Sequence, residues 1–210
     1  MNKKKGAIIA AFGIPGSGKS TTTGEIGRLL NIKTFHEPEE SEWGEAVKNR
    51  SLAGNFTALM WFRSIRVPQY FKAKILKENG EITMLDSCYD KLFYLYYNKQ
   101  GLEWLITKED FYYSDMINIA KKDYQILPDI DVLVFFKQSK EKCEKFISIR
   151  NRKLDQEDGF KKSFILQDAF IDAVQQYCEE KNCKLIIHEQ SFSNPKAEAE
   201  KIVKKLTKYL

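Results

Sequence analysis

The residues Gly13-Ile14-Pro15-Gly16-Ser17-Gly18-Lys19-Ser20 spell a complete G-x-x-x-x-G-K-S loop, set directly after the apolar run from Ala7 to Phe12. A strand that feeds a glycine-rich loop and then a helix is the arrangement a phosphate cradle requires. Glycines let the backbone curl until successive N–H groups face one anion, and the helix that follows adds the positive end of its dipole. Gly13, Gly16, Ser17 and Gly18 are read as that cradle, with Thr21 carrying it into the helix. Lys19 is the side-chain cation expected at the β- and γ-phosphates of ATP, and the Ser20 hydroxyl is the expected ligand to Mg²⁺. The competing reading is a glycine-rich turn with an incidental lysine. The strand before the loop and the helical pattern from Thr21 to Leu30 after it argue against that.

Working outward, apolar β-rich segments recur at Ala7 to Phe12, Lys33 to His36, Ile82 to Leu85, Asp131 to Phe136 and Lys184 to Ile187. Helical patterns separate them: Ser20 to Leu30, Gly44 to Val47, Thr57 to Glu78, Tyr89 to Asn98, Lys108 to Lys122, Lys140 to Asn151, Phe164 to Lys181 and Pro195 to Leu210. Strand and helix in alternation predict an α/β fold in three layers, a five-stranded parallel sheet with helices on both faces. A chain of 210 residues with 43% hydrophobic content encloses one core, so a single domain is expected over 1–210.

Charge and cysteine usage exclude several classes. The net charge of +5 comes from 34 basic against 29 acidic residues and is spread in short clusters, too little for a nucleic-acid surface. Cys88, Cys143, Cys178 and Cys183 lack paired metal-ligand spacing, and with only His36 and His188 beside them neither a zinc site nor a disulfide scaffold is expected. Lys3 to Lys5 before Ala7 to Phe12 mimics a secretory leader, yet cleavage there would destroy the phosphate loop. No stretch has the length of a membrane-spanning helix, so a cytoplasmic location and a small-molecule partner are expected.

Four further segments bear on chemistry. Asp86 closes the strand Ile82 to Leu85, where a carboxylate at the carboxyl end of a strand holds Mg²⁺ or its water shell; a helix N-cap is its structural alternative. Glu37 is kept extended by Pro38 and aimed off the sheet edge, where it could orient or deprotonate an acceptor hydroxyl. Beside Glu39, Glu40 and Glu42 it reads equally as part of a solvated acidic loop. Phe62 and Arg66 fall one turn apart on one helix face, a plate and a planar cation suited to a base and a phosphate, although most such pairs are half core and half surface. Arg150 and Arg152 concentrate cations after the fourth strand and are read as a lid, around 146–160, in preference to a basic helix end.

These segments together resemble the thymidylate kinases and the related deoxynucleoside kinases, from Ala7 to about Leu206. Glu37-Pro38 followed by Gly44-Glu45 is similar to the thymidylate kinase E-P-x-x-x-x-x-G-E stretch, and Phe62 to Arg66 to its F-x-x-x-R helix. The resemblance implies that Phe62 stacks on the acceptor base, that Arg66 grips an acceptor phosphate, and that Arg150 and Arg152 close over ATP. Two departures stand out. Ser87 follows Asp86 where both families usually carry arginine, and Leu59 stands near the position of the glutamine with which deoxynucleoside kinases read the base. The expected activity is ATP- and Mg²⁺-dependent transfer of a γ-phosphoryl group to a nucleoside monophosphate, most simply dTMP. A deoxynucleoside kinase with Glu37 as base is the alternative, and a nucleotide-dependent switch that transfers nothing is the alternative from another class. A homodimer is an open expectation of the same resemblance.

Overall fold

In β1 (Ala7–Phe12) every residue is buried, and its side chains divide by parity between two apolar layers. Successive side chains of a strand point to opposite faces, so a strand apolar at every position must be covered on both. Ile8, Ala10 and Phe12 enter one layer; Ile9 and Ala11 enter the other. The structure is a computed structural model and describes residues 5–89, 106–150, 163–191 and 194–210.

From β1 the chain passes through α1 (Lys19–Leu30), β2 (Lys33–Phe35), the short α2 (Glu45–Lys48) and α3 (Arg50–Ala53), and the long α4 (Asn55–Glu78). Beyond these come β3 (Ile82–Leu85), α5 (Tyr113–Ile126), β4 (Val132–Lys137), α6 (Lys140–Arg150), α7 (Gln167–Glu180), β5 (Lys184–Glu189) and α8 (Pro195–Leu206). The five strands form one sheet in the order β2-β3-β1-β4-β5, and every pairing is parallel. Tyr70 and Ala73 of α4 and Phe170, Val174 and Tyr177 of α7 cover one face. Ile26 of α1 with Ala199, Ile202 and Leu206 of α8 covers the other. The three-layer α/β expectation is met. The consecutive strands β3 and β4 flank β1 on opposite sides, so the strand order reverses at β1, and ligand crevices of such sheets open at that carboxyl edge.

Strand positions agree with expectation to within two residues; the larger differences lie in the helices and loops, and two of them have a local cause. The helix expected from Lys108 begins instead at Tyr113, because Asp110 takes the Tyr112 amide on its side chain (3.0 Å) and the Tyr113 amide on its carbonyl (3.0 Å), closing a turn. The acidic run at Glu39 to Glu42 is not an open loop. Glu42 accepts the Glu39 amide at 2.8 Å and the Glu39 side chain returns a bond to the Glu42 backbone, a capping box on one turn of 3₁₀ helix. The helix expected over Tyr89 to Asn98 falls outside the described residues after Tyr89. All four cysteines are buried and none is in a disulfide.

Candidate active site

β1 ends at Phe12, and the eight-residue loop turns at once. A Cβ at Gly13 would stand 2.7 Å from the Phe136 carbonyl oxygen of β4, so no side chain fits where the loop leaves the sheet. Gly18, with φ 72° and ψ 13°, occupies the left-handed region and caps α1, accepting the Thr22 amide at 3.2 Å. Gly16 is left-handed too, at φ 75°. The Ser17 amide closes back onto the Ile14 carbonyl at 3.2 Å, and Lys19 Nζ donates to the same oxygen at 3.4 Å, which folds the ammonium over the loop. Ser20 and Thr21 are exposed on the first turn of α1, while the Ser17 hydroxyl is buried with no hydrogen-bond partner among the described residues. Positive-φ glycines, an ammonium folded across the loop, an exposed hydroxyl one residue later and an orphaned buried hydroxyl fit a triphosphate with its Mg²⁺.

The second half of the site forms where β2 and β3 end against α4. Asp86, only 1% exposed, receives the Glu37 amide on both carboxylate oxygens at 2.9 Å. His36 Nδ1 lies 3.3 Å from the same carboxylate, and Arg66 Nη1 lies 3.5 Å from it. Arg66 is 3% exposed; its Nη2 stands 3.0 Å from Glu37 Oε1 and its Nη1 donates to Gln69 Oε1 at 3.0 Å. Gln69 Nε2 in turn donates to the His36 carbonyl at 3.0 Å. One turn beyond Arg66, the Tyr70 hydroxyl sits 3.1 Å from Cys88 Sγ and accepts the Tyr89 amide at 3.1 Å. Residues three and four apart share a helix face, so Arg66, Gln69 and Tyr70 together tie the exits of β2 and β3 to α4.

Charge in this cluster is balanced by burial. Desolvation raises the Asp86 carboxyl above the usual aspartate range, against the opposing pull of Arg66 and the Glu37 amide. Desolvation works against the Arg66 cation as well, but Glu37 and Asp86 outweigh it and hold the guanidinium above its ordinary range. Glu37 keeps 39% of its side chain exposed, so one carboxylate oxygen meets Arg66 while the group still faces solvent. Phe62 is half-buried and meets Trp43 edge-on at 6.0 Å and Trp61 edge-on at 5.0 Å. Trp43 Nε1 donates to the Pro38 carbonyl at 3.2 Å, which fastens this aromatic wall to the Glu37-Pro38 corner.

The structure therefore brings Glu37, Phe62, Arg66 and Asp86 together beside the strand that carries the phosphate loop. Arg150 is the last residue of α6 and its side chain is outside the described residues, as are Arg152 and the lid segment from 151 onward up to 160. Sequence reasoning missed His36 and Gln69, and it missed the Arg63–Asp123 pair, a bidentate contact at 2.7 and 2.6 Å that joins α4 to α5. Asp123 is fully buried there. The expected helix stops at Lys122, one residue short of Asp123, so no local signal singled out this acid. Among the described residues no group of three or more His, Cys, Asp or Glu could hold a metal ion, and no helix is long and apolar enough to cross a membrane.

A parallel sheet in this order, with the glycine-rich loop after its central strand and helices on both faces, is the phosphate-loop three-layer α/β fold. Among solved structures the chain is similar to a deoxyadenosine kinase from M. mycoides with bound dATP, at 20% identity and a TM-score of 0.68, over 96% of this chain and 99% of that one. It is also similar to thymidylate kinases from Candida albicans (17% identity, TM-score 0.59, 97% and 92% coverage) and Ehrlichia chaffeensis (16%, 0.55, 96% and 98%). No family model and no curated protein matches the sequence. At these identities the likeness is one of fold, over nearly the whole length of each chain.

Proposed function

We propose that the protein is an ATP- and Mg²⁺-dependent kinase whose acceptor is the 5′-hydroxyl of a deoxynucleoside. The observation that carries the acceptor is the state of Arg66: buried and engaged by Glu37 and Asp86. To grip the phosphate of a monophosphate it would have to leave two carboxylates, one of them in the interior, and stranding a buried charge is expensive. An uncharged nucleoside makes no such demand. Glu37, oriented by Arg66 and by the bond from its own amide to Asp86, retains an exposed carboxylate edge for the hydroxyl.

In the reaction the Glu37 carboxylate takes the proton of the 5′-hydroxyl as that oxygen bonds to the γ-phosphorus, and the bond from the γ-phosphorus to the bridging oxygen of ADP breaks. The loop amides and Lys19 compensate charge on the phosphate oxygens. Mg²⁺, held through the Ser20 hydroxyl, would supply further neutralisation of the phosphates. Asp86 acts from the interior by fixing the Glu37 amide and Arg66. Phe62, with Trp43 behind it, offers the flat surface for the base. Arg150 and Arg152 are assigned to closure over the triphosphate on their place after α6.

Coupled ATP turnover against a panel of deoxynucleosides and their monophosphates tests the assignment. Glu37→Gln should lower kcat with a nucleoside by about two to four powers of ten, the range of general-base contributions, with KM nearly unchanged. Stimulation by monophosphates alone would replace this acceptor with dTMP or a relative, the reading that the placement of Phe62 and Arg66 on one helix face favours. ATP hydrolysis indifferent to every acceptor would leave the switch.

A further inference from the structure

Beyond the bond from Lys19 to the Ile14 carbonyl, an element from the far end of the chain reaches the turn at the end of the phosphate loop. Gln190 follows β5 directly and is 4% exposed. Its Nε2 donates to Thr22 Oγ1 at 3.1 Å, in the first turns of α1, and the same nitrogen lies 3.0 Å from where a Cβ on Gly18 would stand. Thr22 is itself fully buried and gives its amide to the Gly18 carbonyl. Thr22 thus links Gln190 to Gly18, and the Gln190 amide fills the space beside the left-handed turn that opens the helix.

The backbone of Gln190 is held from two other elements. Its amide donates to the Lys137 carbonyl at the end of β4 at 2.9 Å, and its carbonyl receives Lys142 Nζ of α6 at 3.2 Å. Among the described residues, Gln190 Oε1 and Ser17 Oγ are both buried without a hydrogen-bond partner. Buried polar atoms are nearly always paired, so the side chain of Gln190 is held here by its single bond to Thr22. The cradle amides precede and follow Gly18, so an error in that turn re-aims them all.

Resting on the reading of this loop as the donor site, the geometry points to Gln190, acting through Thr22, as a positioning residue for the ATP phosphates. A neutral amide suits the task, because it fixes the turn without setting a charge beside the phosphates. Gln190 contacts no substrate in this role. It holds Gly18 and the start of α1 so that the amides around residues 16–19 meet the anion already oriented, which moves the ordering cost from binding to folding.

Equilibrium binding of ATP with Mg²⁺ to the full chain, together with ATP and acceptor KM values, tests this. Thr22→Val keeps shape and removes the hydroxyl; Thr22→Ser keeps the hydroxyl. Thr22→Val should weaken ATP binding by about fivefold, the loss of one neutral hydrogen bond, and leave acceptor KM within about twofold. Thr22→Ser should stay close to wild type. Gln190→Leu should show the same selective loss, and adding Thr22→Val to it should cost little more. Thermal unfolding without nucleotide checks that each variant folds; should Gln190→Leu fail to fold, the Val and Ser pair at Thr22 decides alone. Wild-type affinity in Thr22→Val, or an equal fall in ATP and acceptor affinity, overturns the role of Gln190. A wild-type chain that binds no ATP overturns instead the donor-site reading, and this inference with it.

Discussion

Replacing Arg66 by leucine tests whether the guanidinium is committed to the interior or held ready for a phosphate. The substitution keeps most of the helix packing and removes the cation that faces Asp86 at 3.5 Å and Glu37 at 3.0 Å. Asp86 is then a buried carboxylate left with the Glu37 amide and His36. Removing one partner of a buried ion pair costs about 3–5 kcal/mol. An independent bound agrees: the carboxyl can escape by taking up a proton, and protonating a group with an ordinary value of 3.8 at pH 7 costs about 4 kcal/mol. Against a total stability of about 5–15 kcal/mol this is a large fraction, equivalent to roughly 6–20 °C in Tm for a chain of this size. Urea denaturation at pH 7, read by circular dichroism, measures it. Asp86→Asn in the Arg66→Leu background removes the stranded charge and should recover about half of the loss, and because Asp86→Asn alone also costs stability, the interaction energy in the double-mutant cycle should exceed the amount recovered. A loss under about 1 kcal/mol with additive variants would refute the reasoning. Arg66 would then be free for an acceptor phosphate, and the monophosphate reading would gain what the nucleoside reading loses.

Lys19→Ala removes the side-chain ammonium that lies across the phosphate loop and should cut turnover by about three powers of ten or more while the circular dichroism spectrum stays unchanged; turnover near wild type would remove the loop from the chemistry. His188 sits 2.7 Å from Glu198 with Lys201 and Lys205 nearby, and burial lowers the imidazole below its ordinary value of 6.5 although Glu198 pulls the other way. A lowered histidine favours the neutral form in the folded state, so this contribution to stability is complete above about pH 6.5 and is lost as pH falls below it. His188→Gln should therefore flatten the dependence of the unfolding midpoint on pH between about 6.5 and 5. An unchanged slope would show that other groups carry it.

The parts legible from sequence are those in which chemistry is written into consecutive residues. The loop from Gly13 to Ser20 declares its conformation because glycine is needed where φ is positive, and β1 declares its burial because it is apolar at every position. β3 and β5 were legible from shorter apolar cores, Met84-Leu85 and Leu185 to Ile187, while the start of α5 was not, since the capping bonds of Asp110 compete with the helical pattern. Site residues divide in the same way. Glu37, Phe62, Arg66 and Asp86 could be named from local motifs, because a carboxylate at a strand end and an aromatic one turn from an arginine are periodic facts. What each of them does depends on which partner is brought within about 3.5 Å, and that is set by residues 49 positions apart, as with the Glu37 amide and Asp86. Sequence alone presents Arg66 as a cation seeking an anion. Folding supplies two carboxylates from just beyond the ends of separate strands and withdraws Arg66 and Asp86 from water while Glu37 stays partly exposed, and this burial of the guanidinium is invisible in any local pattern. Gln190 is the extreme case: it stands 168 positions from Thr22, and only the closing of β5 and α8 onto α1 gives its amide a turn to hold.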